Sequence, residues 1–586
     1  MTGRADSSPA PSGNLSTLSA ALTGLRSTIA NVRFPLRLPR SDEARRSADG
    51  IVAQLDDYLL PRLTRLDAPL LVVVGGSTGA GKSTLVNSLV QAPVSPSGVL
   101  RPTTRGPVLV CHPDDSRWFT EAHLLPHLMR STDTQSDART LRVVSSTRLD
   151  PGLALLDAPD IDSVVETNRA LAEQLLAAAD LWLFVTTAAR YADAVPWDFL
   201  RTAQARGTAI ALVLDRVPPG VGDTITSHLS EMLRRHQLGD APLFVVDERR
   251  TNPEGLLPES DVAAVRDWLR ALARSAVARA AVVRQTVDGA IAAMDPATRA
   301  LAEGAAEQVA AYESLRSSVD GAFRAAAVTV EQGVRDGILL RGEVLARWQE
   351  LVGTGEFMRG LQARVGRLRD RVVAAVTGRA LPEARLQTAL ESGLVTLVRG
   401  AAAEAAEQAA SAWHSHPSGT ALLAETSGLS RVGDDLTGRA ERMVRDWQRA
   451  VLEMVRVESG NKAFVARASS YAVNALGLAV MIAVFTATAF IPTGAEIVVA
   501  GGTTVAAQKV LEAIFGDQAV RELAAKARQL LLARVDELLT DEAERFHTVL
   551  RSQGVDPSAP GALRSAADSV RAARAATTML ASGGDR

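Results

Sequence analysis

Residues 76–83 read Gly-Ser-Thr-Gly-Ala-Gly-Lys-Ser, which matches the phosphate-binding pattern G-x-x-x-x-G-K-[ST]. In this pattern, backbone N–H groups and the positive end of the following helix converge on a phosphate chain. Lys82 would contact the terminal phosphates, and the Ser83 hydroxyl would hold Mg²⁺. The chain contains only four lysines, and one stands where a compact ammonium is needed. We therefore expect a nucleoside triphosphate site formed by Gly76, Ser77, Thr78, Gly79, Ala80, Gly81, Lys82, Ser83 and Thr84.

Two later segments contain candidate ligands for the metal and for the terminal phosphate. Thr103 and Thr104 follow the P-loop and precede an apolar run. In GTPases, a threonine in this region closes over Mg²⁺ and the γ-phosphate, so either residue is a candidate for hydrolysis and Thr104 for the metal. Asp157 ends the apolar run Leu153–Leu156. Because P-loop proteins place an acidic residue at such a strand end, Asp157 is a predicted Mg²⁺ residue.

The elements that must position these residues are indicated by the alternation of apolar runs with helical stretches between residues 68 and 250. Such alternation predicts an α/β domain with a mostly parallel sheet and helices on both faces. The predicted strands are Leu70–Val74, Val108–Cys111, Leu141–Val144, Leu153–Leu156, Leu181–Val185, Ile210–Leu214 and Leu243–Val246.

The remainder of the chain has the pattern of long helices. From about residue 258 the strand signals stop, and Ala, Leu and Val recur at helical spacing, which predicts a helical bundle or stalk. The expected organisation is a disordered N-terminus at 1–13, N-terminal helices packing on the stalk at 14–66, the P-loop domain at 67–257, the stalk at 258–460, a hydrophobic hairpin at 461–515, a returning stalk helix at 516–555 and a flexible tail at 556–586.

An uncharged segment suggests contact with lipid. No charged residue occurs in the 28 positions between Arg467 and Glu496. Twenty apolar residues in a helix span roughly 30 Å, about one hydrocarbon core. Pro492 and Gly494 then interrupt the helix, a second uncharged stretch follows, and basic residues flank both ends. We expect 468–508 to form a hairpin at the cytoplasmic face of the cell membrane; a single span and a buried core helix are the alternatives.

Composition excludes some classes of partner and fold. The net charge is −2 and the pI is near 6.5, so no global basic field favours nucleic acid as a partner. The single cysteine excludes a disulfide framework within the chain and suits a reducing compartment. The polar N-terminus has no apolar signal-peptide core, so we expect it to be cytosolic.

On these motifs, residues 70–250 resemble the P-loop GTPases of the dynamin-like and Era-like families. Gly76–Ser83 corresponds to the first family motif, Thr103 or Thr104 to the second, and Asp157-Ala158-Pro159 to the start of D-x-P-G. The resemblance implies GTP as ligand, Mg²⁺ as cofactor and slow or assembly-stimulated hydrolysis. It also implies homo- or hetero-oligomers formed through the GTPase domain, with nucleotide state coupled to self-association and to membrane binding or remodelling.

The chain departs from the family pattern at the catalytic positions. Asp160 replaces the glycine of D-x-x-G, Ile161 occupies the position of a water-positioning glutamine in Ras-like enzymes, and Thr78 that of a P-loop glutamine in dynamins. An arginine supplied across a dimer would compensate for these changes. The loop candidates for that arginine are Arg101, Arg105 and Arg190.

The base-reading position also departs from the family. Asp215-Arg216-Val217-Pro218 replaces [NT]-K-x-D, so Asp215 and Arg216 are the candidate base contacts and ATP is an alternative to GTP. An ABC-type ATPase is not favoured, because no L-S-G-G-Q-like signature precedes Asp157 and no glutamate follows it. Two other functions remain open: a membrane-anchored regulatory switch that does not remodel lipid, and a soluble P-loop ATPase whose apolar helix belongs to the core.

Overall fold

The computed structural model describes residues 11–65, 67–96, 106–121, 128–131, 140–163, 166–336, 382–458, 475–488 and 517–583. The chain divides into two compact units. The first, called here the nucleotide unit, consists of Met1–Phe34, Pro39–Glu307 and Asp556–Arg586. The second, called the helical unit, consists of Pro35–Leu38 and Gln308–Val555.

An eight-stranded sheet forms the centre of the nucleotide unit. Its strands lie in the order β3-β4-β2-β5-β1-β6-β7-β8, and every neighbouring pair is parallel except β2 with β5. All seven predicted strands are present, and β3 is an additional short strand at one edge. The bounds are β1 Leu70–Gly76, β2 Val108–Cys111, β3 Met129–Ser131, β4 Thr140–Ser145, β5 Leu153–Asp157, β6 Leu181–Thr187, β7 Ala209–Val217 and β8 Leu243–Asp247.

The register of the central strands brings the functional segments to one edge of the sheet. Val74 of β1 pairs with Asp157 of β5, and Gly76 pairs with Val185 of β6. Thr187 of β6 pairs in turn with Asp215 of β7. Open α/β sheets bind their ligands at the carboxyl ends of their parallel strands. The P-loop, Asp157 and Asp215 therefore lie along the same edge.

Helices cover this sheet. Up to residue 274, the helices of the nucleotide unit are α1 Pro11–Asn31, α2 Ser41–Gln54, a π-helical turn Leu55–Leu59, α3 Leu60–Thr64, α4 Lys82–Val90, α5 Ser116–Thr120, α6 Glu166–Ala177, α7 Ala194–Ala205, α8 Gly222–Arg235 and α9 Glu259–Arg274. Helix α10, Ala276–Arg335, contributes residues to both units. Strands β1, β5 and β6 are buried throughout their length, which is expected of parallel strands covered on both faces.

A buried ion pair fixes the start of β1. Asp180 Oδ2 accepts a hydrogen bond from the Leu71 N–H at 2.8 Å and lies 3.0 Å from Arg62 Nη2. The Tyr58 hydroxyl donates to Asp180 Oδ1 at 3.1 Å. Burial raises the pKa of Asp180, whereas the charge of Arg62 opposes that rise. These contacts join α3 and the π-helical turn to the strand that leads into the P-loop.

Both ends of the chain differ from the sequence-based prediction. The segment predicted as a flexible tail forms a helix, Ala559–Gly583, which we number α16. It packs along α1 as part of the nucleotide unit, whereas the N-terminal helices were expected on the stalk. The physical reason is the helical spacing of the apolar residues, which include Leu563, Val570 and small residues between them. They pack on the apolar face of α1, so a segment rich in Ala and Ser still buries a continuous row of apolar side chains.

The helical unit fits the predicted bundle, although its long segment begins at Gln308 and not near residue 258. Besides the end of α10, its helices are α11 Pro382–His414, α12 Pro417–Glu425, α13 Leu436–Glu458, α14 Ala475–Thr488 and α15 Asp517–Ser552. Two buried tryptophans lock it. Trp413 Nε1 donates to the Leu315 carbonyl at 3.1 Å, and Trp447 Nε1 donates to the Ala527 carbonyl at 2.9 Å.

Helix α14 contains the described part of the long uncharged segment. Its side chains from Ala479 to Val484 are buried in the core of the helical unit, and the helix packs against α11, α13 and α15. Within the described ranges, no helix has both the length and the apolar character that a membrane span requires. The rest of the predicted hairpin at 461–515 lies outside the described residues.

Candidate nucleotide-binding site

The loop between β1 and α4 requires glycine for two physical reasons. Gly79 and Gly81 adopt φ angles of 75° and 95°, which residues with a side chain rarely adopt. A Cβ on Gly81 would lie 2.2 Å from the Asp215 carboxylate, and one on Gly76 would lie 2.1 Å from the Val185 carbonyl oxygen. Glycine therefore lets the loop turn tightly against the ends of β6 and β7.

Lys82 begins α4 and folds back over the loop. Its side chain is 6% exposed, and Nζ donates to the carbonyl oxygens of Gly76 and Ser77, each at 3.0 Å. The same ammonium pairs with the carboxylate of Asp160. The lysine ammonium is thus held over the loop, largely shielded from solvent. A triphosphate bound in the loop would contact it.

Asp157, at the end of β5, accepts hydrogen bonds from two serine hydroxyls. Its Oδ2 accepts hydrogen bonds from Ser83 Oγ at 2.6 Å and Ser95 Oγ at 2.5 Å. Burial raises the pKa of Asp157, and the two serine hydrogen bonds and the charge of Lys82 oppose that rise. Ser95 is itself fixed, because its backbone N–H and carbonyl both bond to the Asn87 side chain, at 2.7 and 2.8 Å.

These residues fit a Mg²⁺ ion bound beside a triphosphate. Asp157 Oδ1 is buried and has no hydrogen-bond partner among the described residues. The other carboxylate oxygen, Oδ2, accepts the hydrogen bond from the Ser83 hydroxyl. Carboxylate and hydroxyl oxygens are the ligand types that Mg²⁺ prefers, together with phosphate oxygens and water. Ser83 and Asp157 would hold the ion, which would neutralise phosphate charge.

The loop is also tied, through Thr78, to Asp162 and Arg190. Asp162 Oδ1 accepts from the Thr78 N–H at 2.6 Å and from the Thr78 hydroxyl at 2.7 Å. Arg190 donates to Asp162 Oδ2 at 2.9 Å and to the Thr78 carbonyl at 3.0 Å, and also pairs with Asp193. Burial acts to raise the pKa of Asp162, but these hydrogen bonds and the Arg190 charge lower it overall. Arg190, a predicted arginine-finger candidate, is therefore engaged within its own chain.

Asp215 and Arg216 lie at the end of β7, next to the loop. The Asp215 carboxylate is 5% exposed, accepts from the Arg216 N–H at 2.8 Å and stands over Gly81. Burial raises its pKa to about 6, partly offset by Arg216. Arg216 has a φ of 54°, and the pairing of β7 with β8 is irregular there. Asp215 thus lies against Gly81 of the P-loop, while the Arg216 side chain is exposed.

The remaining predicted residues fall into two groups. Ser77 and Ala80 are buried in the loop, and Thr84 lies in the first turn of α4, where its carbonyl accepts from the Ser88 hydroxyl. Ser77 Oγ has no hydrogen-bond partner within the described part of the chain. Thr103 and Thr104, like Arg101 and Arg105, lie outside the described residues, so their proposed roles remain predictions.

Sequence reasoning missed two residues of the site. Ser95 carries no motif, and only the fold brings it to Asp157, through the side chain of Asn87. Asp162 follows the degenerate D-x-x-G segment, and its two bonds to Thr78 depend on how that segment docks on the loop. The spacing of these residues along the chain gives no signal for either contact.

A family comparison agrees with this geometry. Residues 72–216 match the model of the Dynamin family, a stretch that contains the P-loop, Asp157, Asp215 and Arg216. A chloroplastic protein of Arabidopsis thaliana, named as a probable transmembrane FZO-like GTPase, is 25% identical over 158 residues. The aligned stretch covers 27% of this chain and 16% of that protein. These similarities indicate that residues 72–216 resemble the GTP-hydrolase domain of the Dynamin family.

Two solved structures of bacterial dynamins align with most of the chain, at TM-scores below 0.5. One belongs to an oligomerised bacterial dynamin pair, described as providing a mechanism for the long-range sensing and tethering of membranes. It is 10% identical, covers 98% of this chain and 96% of its own, and has a TM-score of 0.41. LeoA, a bacterial dynamin GTPase from ETEC, is 10% identical with 97% and 98% coverage and a TM-score of 0.25.

Proposed function

We propose that this chain is a dynamin-like GTPase that binds GTP with Mg²⁺ and couples its nucleotide state to self-association at the cytoplasmic face of a membrane. One observation carries the nucleotide part. Lys82, Ser83 and the buried carboxylate of Asp157 converge at the carboxyl edge of a mostly parallel sheet, within the region matched to the Dynamin family. Lys82 would bind the terminal phosphates, and Ser83 with Asp157 would hold the metal.

The site supports slow hydrolysis that depends on assembly. Ile161 is fully buried, so that position offers no polar group to orient a water molecule. Thr78 is bonded to Asp162 and is not a glutamine. A second chain that supplied an arginine at the terminal phosphate would stabilise the charge that develops during phosphoryl transfer, an effect worth about 10³–10⁵ in rate in other GTPases. GTP would thus favour a self-associated state, and hydrolysis would release it.

The membrane part of the proposal rests on the uncharged run from 468 to 495 and on the name of the Arabidopsis relative, a probable transmembrane GTPase. A second candidate function is a GTPase switch without direct lipid contact. It is favoured by α14, whose described apolar side chains fill the core of the helical unit. In that case the segment would contribute to folding rather than to lipid binding.

A competition assay on the full chain tests the nucleotide part. GTP should displace a labelled GTP analogue better than ATP does, and Lys82→Ala should abolish binding. Lys526→Ala is the matched control, because it removes an exposed lysine on α15, and it should bind as the wild type does. A clear preference for ATP, or normal binding by Lys82→Ala, would contradict the proposal.

Vesicle flotation tests the membrane part. The full chain should float with anionic vesicles, and a variant without residues 468–508 should not. Circular dichroism must show that the helical unit of the variant is folded, because the deletion removes α14. Lipid tubulation by the wild type but not by Lys82→Ala would support coupling of nucleotide to remodelling. Equal flotation of wild type and deletion variant would refute lipid contact through this segment.

A further inference from the structure

Two carboxylates of the segment 158–163 are bonded to hydrogen-bond donors of the P-loop. Asp160 pairs with the Lys82 ammonium. Asp162 Oδ1 accepts from both the backbone N–H and the hydroxyl of Thr78, at 2.6 and 2.7 Å. Asp160 thus engages the lysine ammonium, and Asp162 engages a backbone N–H of the loop. The two contacts lie on either side of the glycine turn.

The segment is held in this position by more than the two carboxylates. The Ile161 side chain between them is fully buried, and its N–H donates to the Gly76 carbonyl at 3.4 Å. Arg190 donates to the second oxygen of Asp162 and to the Thr78 carbonyl, so it bridges the segment and the loop. The segment is therefore docked through backbone, apolar and charged contacts.

Carboxylate and phosphate make the same demands on these donors. Both are anionic oxygen acceptors that form short, charge-assisted hydrogen bonds with an ammonium or a backbone N–H. An amide N–H has one hydrogen to donate, and the ammonium of Lys82 already donates to two carbonyls as well as to Asp160. Contacts of the carboxylates and of a phosphate chain with these donors therefore exclude each other.

We propose that Asp160 and Asp162 form a built-in competitor for the phosphate chain, which a triphosphate must displace in order to bind. The inference deepens the proposed function and rests on it. Asp160 competes for Lys82, and Asp162 competes for the Thr78 amide. Because the position of Asp160 is glycine in the motif D-x-x-G, this chain has a negative charge where its family places a backbone donor. The competitor lowers the affinity for nucleotide. When a phosphate chain binds, it displaces segment 158–163 from its docked position.

The expected effect follows from the fraction of molecules in which the donors are free. A competitor that occupies the donors in nine molecules of ten weakens the apparent affinity about tenfold. Removal of its charge should restore that factor. The gain should be equal for GTP and for inorganic triphosphate, since the competition concerns the phosphate end and not the base.

Equilibrium binding to the full chain, with Mg²⁺ present, tests the proposal. Asp160→Asn should bind a non-hydrolysable GTP analogue and inorganic triphosphate about tenfold more tightly than the wild type, and Asp160→Asn/Asp162→Asn more tightly still. Asp198→Asn is the matched control, because it removes the same charge from an exposed pair with Arg201 on α7. Affinity no higher than that of the control would overturn the proposal. Weaker binding would also overturn it, because it would show that Asp160 supports the ligand or its metal.

A measurement on the wild type covers the case in which a variant does not fold. Hydrogen exchange of the peptide containing 158–163 should become faster when inorganic triphosphate binds, because the docked contacts of Ile161 are released. Unchanged or slower exchange would overturn the displacement. The proposed function fails separately: in that case the wild type would bind neither GTP nor inorganic triphosphate in a Lys82-dependent manner. If it binds both and the Asp160 variant gains nothing, only the competitor is refuted.

Discussion

Replacement of Asp215 by asparagine should make the nucleotide unit more stable at neutral pH. The carboxylate is 5% exposed at the end of β7, and burial raises its pKa from 3.8 to about 6, with Glu248 adding to the rise and Arg216 opposing it. The difference between a pKa of 3.8 and one of about 6 corresponds to about 3 kcal/mol. The ionised carboxylate therefore lowers the free energy of unfolding by this amount near pH 7.

The sign follows from the order in which the two states lose their protons. Below about pH 4 the carboxyl is neutral in both the folded and the unfolded chain, so its favourable contribution is fully present. As the pH rises from 4 to 6 the unfolded chain releases the proton first, and the free energy of unfolding falls. Asparagine has no charge to lose, and its Oδ1 can still accept the Arg216 N–H. The variant should therefore lack this decrease.

Hydrogen exchange of amides in β1 and β6, at pH values from 4 to 7.5, measures the opening free energy of the nucleotide unit. The difference between Asp215→Asn and the wild type should grow by about 3 kcal/mol across this range. Asp198→Asn corrects for the loss of one negative charge at an exposed position. A difference that stays constant with pH, or that falls, would refute the reasoning that burial dominates the electrostatics of Asp215.

Three further substitutions test the site and the sheet that carries it. Gly81→Ala should destabilise the loop and lower GTP affinity at least tenfold, because its Cβ would meet a buried carboxylate at 2.2 Å. Gly220→Ala, which has a similar φ of 85° and open space around it, should lose only about 1 kcal/mol in a thermal melt. Thr286→Val should lower the free energy of unfolding by about 1–3 kcal/mol in the same measurement, because it leaves the buried Ala209 N–H at the start of β7 without a partner. The control Thr329→Val, at an exposed position, should change the free energy of unfolding little. Ser95→Ala should raise the Mg²⁺ concentration needed for half-maximal GTP binding, and equal metal dependence would contradict its role in orienting the carboxylate.

The strands and the P-loop were predictable because their signals are local. A buried parallel strand is a continuous apolar run, and a phosphate loop needs glycines and a lysine at fixed spacing. Edge strand β3 was missed because three residues carry too little pattern. The helix at 559–583 was misread because its stripe of small residues gains stability only against α1, a partner distant in sequence.

The contacts within the site show the same division. The sequence by itself determined a P-loop domain with Lys82, Ser83 and Asp157 at the ends of its strands. The tertiary structure alone decided that Ser95 reaches Asp157, that Asp160 pairs with Lys82 and that Asp162 holds the loop. Each of these bonds joins residues more than 60 positions apart in the sequence. Their energies depend on burial and on distances that no spacing along the chain encodes.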